Sequence, residues 1–107
     1  MKPVIFESNT LDTIRNFPDD ARQRTGYELD RVQRGLDPEN WKPFSSVGQG
    51  VREIRIQIGM QFRVMYIVKF GDAVHVLHAF QKKTQKTKKS DIDIAKSAYK
   101  EIVNRYR

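Results

Sequence analysis

GVREIRIQIGMQFRVMYIVKFGDAVHVLHAFQKK, residues 50–83, carries the periodicity that decides the fold. After Val51 the period becomes two. Ile54, Ile56 and Ile58 share one face of a strand, and Glu53, Arg55 and Gln57 share the other. Such alternation marks a half-buried strand with one polar face. Gly59-Met60 suits a two-residue Gly-X hairpin turn into a second strand over 62–69, and Gly71-Asp72 turns the chain again into a third over 73–81. Three antiparallel strands in a meander are expected.

Working outward, PVIFE at 3–7 reads as a short strand, and Ser8 or Asn9 can cap a brief helix that ends near Phe17. Pro18 suits the first turn of the next helix, where Asp19 and Asp20 meet the positive end of the helix dipole. Ala21, Thr25, Leu29, Val32 and Leu36 make a weakly apolar stripe, and Gly35 ends that helix. Residues 41–50, with Trp41, Lys42, Pro43 and Phe44, read as an irregular connection. Downstream, Ser90 with Asp93 resembles a capping box. Ile92, Ala95, Tyr99, Ile102 and Tyr106 then recur at helical spacing. The order β-α-α-β-β-β-α predicts a single α+β domain over 1–107. Its small antiparallel sheet, mixed at one edge, carries helices on one face and leaves the other partly open.

Composition bounds the function. A chain of 107 residues with 38% hydrophobic and 31% charged residues supports one modest core. Apolar runs such as VMYIV at 64–68 are too short to cross a bilayer, and no signal-peptide pattern follows Met1, so a cytoplasmic location without membrane attachment is expected. Zero cysteines exclude disulfides and thiolate chemistry, and two histidines without an acidic pair beside them predict no metal site and no cofactor. Residues 1–50 hold 7 basic and 8 acidic side chains, a balance of −1. Residues 51–107 hold 13 and 5, a balance of +8. One part of the molecule therefore presents a positive field suited to nucleic acid, an anionic membrane surface or an acidic protein.

Four features can carry chemistry. Arg55 and Arg63 lie on strands joined by a tight turn, so in the right register they converge and can clamp one phosphate; a one-residue slip would leave two solvated arginines. FQKKTQKTKK at 80–89 places Lys82, Lys83, Lys86, Lys88 and Lys89 in a stretch with no carboxylate between Ala73 and Ser90. Such a tract follows a polyanion without reading sequence, or is simply a solvated loop. Glu53 stands between Arg52 and Arg55. His75 and His78 are three apart on a strand, which predicts opposite faces and leaves at most one near a substrate. Phe62, Tyr66, Phe80 and Tyr99 are expected in the core rather than stacked on bases.

GVREIRI, FRVMYIV, VHVLHAFQKKTQKT and DIDIAKSAYKEI, in this order and after WKPF, resemble the phage-derived HigB-like branch of the RelE/ParE toxin superfamily. The resemblance covers most of the chain and departs at Lys88, where relatives commonly carry proline. It implies a RelE-like fold and the toxin of a type II toxin-antitoxin system. The activity implied is that of a ribosome-dependent mRNA endonuclease, in which a ribose 2′-hydroxyl attacks the adjacent phosphate. By resemblance Arg55 and Arg63 stabilise the phosphate, and Lys82 and Lys83 position it or transfer protons. Glu53 and His78 are candidate acid-base groups, and Arg52, Gln81, Lys86, Lys88 and Lys89 are candidate RNA contacts. The implied partners are ribosome, mRNA and a helix-turn-helix antitoxin. The alternatives are a non-catalytic ParE-like toxin or binding module, and an inert phage remnant.

Overall fold

The computed structural model describes residues 1–107. The chain runs β1 (Val4–Phe6), α1 (Thr10–Arg15), α2 (Asp19–Gln33), β2 (Trp41–Pro43), β3 (Arg52–Ile58), β4 (Met60–Ile67), β5 (Val74–Lys82) and α3 (Lys89–Arg105). Its strands form one sheet in the order β1-β5-β4-β3-β2, antiparallel except for the parallel β1-β5 pair. The fold is α+β with a mixed five-stranded sheet and three helices, consistent with the RelE-like fold. The expected meander is β3-β4-β5.

Two expectations about its layers are corrected. Helices cover both faces of the sheet, not one. Ile14, Phe17, Ala21, Leu29 and Val32 of the α1-α2 region pack with Ile54, Ile56, Phe62, Val64 and Tyr66, while Ala95, Ala98 and Ile102 of α3 pack with Met65, Ile67 and Leu77 in a separate cluster. Central strand β4 alternates between the two clusters, so Phe62 through Ile67 are all buried. The unbroken apolar run VMYI was the sign of a strand covered on both sides. The second correction is β2, expected as irregular connection. It pairs antiparallel with β3 and sets Lys42 directly opposite Glu53. Three residues ending in proline give too short a pattern to read, yet suit a sheet edge.

Local signals mostly behaved as their chemistry requires. Gly35, at φ +84°, ends α2 with its N–H donating to Val32 O (3.0 Å), and Leu36 N–H donates to Arg31 O (2.9 Å), a Schellman closure. Pro18 is the N-cap of α2 rather than its first helical residue, and Asn9 occupies the N-cap of α1 without a side-chain bond. The expected capping box at Ser90 does not form, because α3 begins two residues earlier with Lys88 as N-cap. Lys88 sits at φ −63°, the value a proline ring imposes, so lysine there keeps the helix start unchanged. The first hairpin turns on Gly59 alone, at φ +68°, with Ile58 opposite Met60, rather than on a Gly59-Met60 pair.

Candidate phosphate-binding cleft

Sheet register builds the site in rows. On the face that carries α3, Lys42, Glu53, Met65 and His78 form one row across β2, β3, β4 and β5. Arg55, Arg63 and Phe80 form the next, and Gln57, Gln61 and Lys82 the one after. Helix α3 covers the first of these rows on the β5 side, where its Asp91 accepts from His78 Nε2 at 2.8 Å. Beyond it the second and third rows open as a cleft of about 830 Å³, lined by Arg55, Gln61, Arg63, Gln81, Lys82 and Lys83 together with Met60, Thr84 and Gln85.

Arg55 and Arg63 are direct cross-strand partners. Arg55 N–H points away from β4 and donates to Asn40 O at 2.8 Å, which makes Arg55 and Arg63 a non-hydrogen-bonded pair of the β3-β4 ladder, the kind whose side chains stand closest. Two guanidinium groups held side by side repel. Their depth differs, however. Arg63 is fully buried, with Nη1 donating to Phe62 O (2.9 Å) and Nη2 to Gln61 Oε1 (2.7 Å), whereas Arg55 is partly exposed. Burial pulls the Arg63 pKa down; Glu53 opposes that shift and Arg55 adds to it.

Glu53 is the only carboxylate in the cluster, and it is 0% exposed. Its Oε1 stands 3.7 Å from Arg63 Nε and 3.9 Å from Lys42 Nζ, too far for hydrogen bonds, and neither oxygen has a hydrogen-bond partner in the protein. Arg55 Nε and Arg63 Nε are likewise buried without partners. Glu53 therefore lies beneath the cleft as a counter-charge and does not line it. A strand face that alternation marks as polar is here a buried charged layer. Lys82, at the end of β5, faces the same side. Its pKa is lowered by burial first, then by the positive charge of Arg63, with Lys42 and Arg55 adding and Glu53 opposing.

The remaining candidates divide. Lys83 and Gln81 line the cleft. Lys86 and Lys88 lie exposed in the loop and helix start that follow, and Lys89 is paired with Asp93 at 2.8 Å. Arg52 is on the opposite face, where it pairs with Asp37 (2.7 Å) and lies 4.0 Å over the Trp41 ring, outside the cleft. His78 stacks on Phe80 and is held by Asp91, one row away from the arginine pair and not on the cleft wall. The expected opposition of the two histidines fails because β5 is bulged: Tyr66 pairs with Val76 and Met65 with His78, leaving Leu77 extra. The bulge returns His78 to the face of His75. Lys42 is the cleft-side cation that strand periodicity missed. Its signal was the K-P pair in WKPF.

A model of the family described as Phage derived protein Gp49-like (DUF891) matches residues 12–100, which span every row of the cleft. The chain belongs to the phage-derived Gp49-like family. Membership fits a phage-derived, toxin-like module and agrees with the fold. No match is found among individual curated proteins. This Gp49-like chain has no helix long and apolar enough to cross a membrane, and no three His, Cys, Asp or Glu side chains gather as metal ligands. The chemistry its cleft offers is that of fixed cations.

Proposed function

We propose that residues 1–107 act as one toxin domain of a type II toxin-antitoxin system, a HigB-like endoribonuclease of the RelE/ParE superfamily that cuts mRNA on the ribosome. The observation that carries this reading is the Arg55-Arg63 pair in register, flanked by Lys42 and Lys82, with Glu53 as its one buried counter-charge. Such an excess of converging cations is self-repulsive until an anion enters, and a phosphate between Arg55 and Lys82 relieves it. When a 2′-hydroxyl attacks the adjacent phosphorus, negative charge grows on the non-bridging oxygens. Preorganised cations stabilise that charge more than they stabilise the ground state.

Arg55 and Lys82 are the groups that reach the phosphate, and Arg63 supplies field from below. Lys82, whose proton is held less tightly than that of an ordinary lysine, is the proton-transfer candidate at the cleft, in place of Glu53. Without a carboxylate or histidine on the wall to complete an acid-base pair, in-line geometry must come from the bound substrate, which is why the ribosome is expected to position the message. The family suggests an antitoxin in general; a helix-turn-helix protein with an acidic surface is the partner proposed. Its site of action is then the cytoplasm.

One observation favours a second reading, a non-catalytic binding module: the Arg63 guanidinium is committed to Phe62 O and Gln61 and does not face solvent. Induction of the chain in a bacterial host, with mapping of transcript 5′ ends, separates the two. Growth arrest with new ends inside translated frames, lost in Arg55→Gln, supports the nuclease; arrest without cleavage favours the binding module, and no arrest an inert remnant.

A further inference from the structure

A second cleft, of about 320 Å³, opens on the outer edge of β3, and Arg55 lines both. It exists because β2 pairs with β3 only as far as Ile54, so the edge of β3 beyond that point faces α2 across a gap. Ile56 and Ile58 supply apolar surface, and Arg24 with the amides of Asn40 and Gln57 supplies polar groups around it. Glu28, on α2, also lines it. Glu28 is 1% exposed; its Oε2 accepts from Glu39 N–H at 2.9 Å, while its Oε1 is buried with no partner. A buried carboxylate oxygen left without a donor is costly, and here it borders a cavity of single-ring-system size.

We infer that this edge cleft is a nucleobase subsite, taking the base of a nucleotide that flanks the phosphate held by Arg55 and accepting at Glu28 from an exocyclic amino group. The inference rests on the RNA-cleavage reading above and adds a base preference to it. Unstacked bases are recognised by planar guanidinium groups, apolar side chains and amides, which is the set assembled here. A carboxylate accepts only. It pairs with the amino groups of adenine, cytosine or guanine and meets the carbonyl at the corresponding edge of uracil with repulsion. Arg24 stays available as a stacking plane because its own ion pair with Glu39, which also accepts from Tyr27 OH (2.9 Å), fixes its position.

The test is a ratio taken within each sample. Wild type, Glu28→Gln and Gln57→Ala chains are induced separately and cut sites are mapped across the transcriptome, scoring the bases on either side of each cut. In the wild type one flanking position should be depleted of uridine. Glu28→Gln, which puts a donor in reach of a uracil carbonyl while keeping an oxygen for Glu39 N–H, should raise uridine there by about tenfold relative to the other bases. Gln57→Ala, at an exposed position where folding is not at risk, should weaken the preference in the same column. Cutting by all three chains with identical flanking profiles overturns the subsite and leaves the nuclease reading standing. Absence of cutting by the wild type removes both.

Discussion

Arg63 and Glu53 show how a charged strand face can be interior. Arg63 keeps a guanidinium and Glu53 a carboxylate inside the protein, each the nearest opposite charge to the other. Removing one member of such a pair leaves the other buried and uncompensated, which costs more than the pair contributes. Arg63→Ala should therefore lower folding stability by about 3 kcal/mol, read from denaturant midpoints. Lys82→Ala lies at the mouth and separates function from folding. It should keep the wild-type midpoint and lose cleavage by about a hundredfold, the loss expected of one charge stabilising a transition state. Equal loss of stability in both variants would contradict this division. At this scale the strands that carry Arg55 and Arg63 were legible but their convergence was not, since a two-residue Gly59-Met60 turn would set Arg55 opposite Val64 and only the turn on Gly59 alone pairs it with Arg63; nor was the depth of Glu53, since alternation distinguishes two faces but not which lies under a helix or a layer of longer side chains.

At the scale of elements, α3 is fastened to the far edge of the sheet. Arg105, near its C-terminus, donates to Glu7 Oε1 at 2.9 Å, and Glu7 Oε2 lies 2.9 Å from His75 Nδ1; His75 Nε2 is 3.2 Å from Phe70 O. Burial pushes the Glu7 carboxyl up, but hydrogen bonds from Arg105 and His75, with their charges, outweigh it and hold the pKa below the ordinary glutamate value. A carboxyl with a depressed folded-state pKa adds stability that is present above its unfolded pKa and lost as pH falls through the folded one. Thermal melts should therefore drop in midpoint as pH falls below the usual glutamate range, and Glu7→Gln should start lower at neutral pH and show a shallower acid decline. A parallel decline in both proteins would show that Glu7 is not the group responsible. Helix periodicity announced α3 and its buried Ala95 and Ile102, yet nothing in it could say which face of the sheet the helix covers, because that depends on the path of residues 83–88. β2 escaped for a different reason: three residues hold too few repeats of strand alternation to stand out.

For the whole molecule, the charge division seen along the chain becomes a spatial one. Helix α2 and its following loop set Asp19, Asp20, Glu28, Asp30, Asp37 and Glu39 against Arg22, Arg24, Arg31 and Arg34, whereas the cleft lining and the 82–89 tract hold lysines and arginines with no carboxylate. Single-stranded RNA bound through Arg55, Lys82 and Lys83 should release counterions from three phosphates, so log affinity should fall against log salt with a slope of about −2. Lys82→Ala should reduce that slope by about 0.7. A slope near zero would mean that the cleft does not hold the backbone. The charge halves were readable directly by counting; the edge cleft beside Glu28 was not, since it arises only from the mismatch in length between β2 and β3.

The bulge in β5 also bears on how this sheet can change. Losing one residue from a regular strand inverts every side chain beyond the gap. Leu77 is the extra residue between Val76 and His78, whose partners Tyr66 and Met65 are adjacent on β4. A codon deleted at Leu77 would thus close an uninterrupted ladder and leave Lys82 facing the cleft, at the expense of one apolar contact with α3. The same deletion at Ala79 would turn Phe80 and Lys82 to the α2 side. Of the single-codon losses open to β5, the one at its bulge keeps the phase of the strand on both sides of the gap.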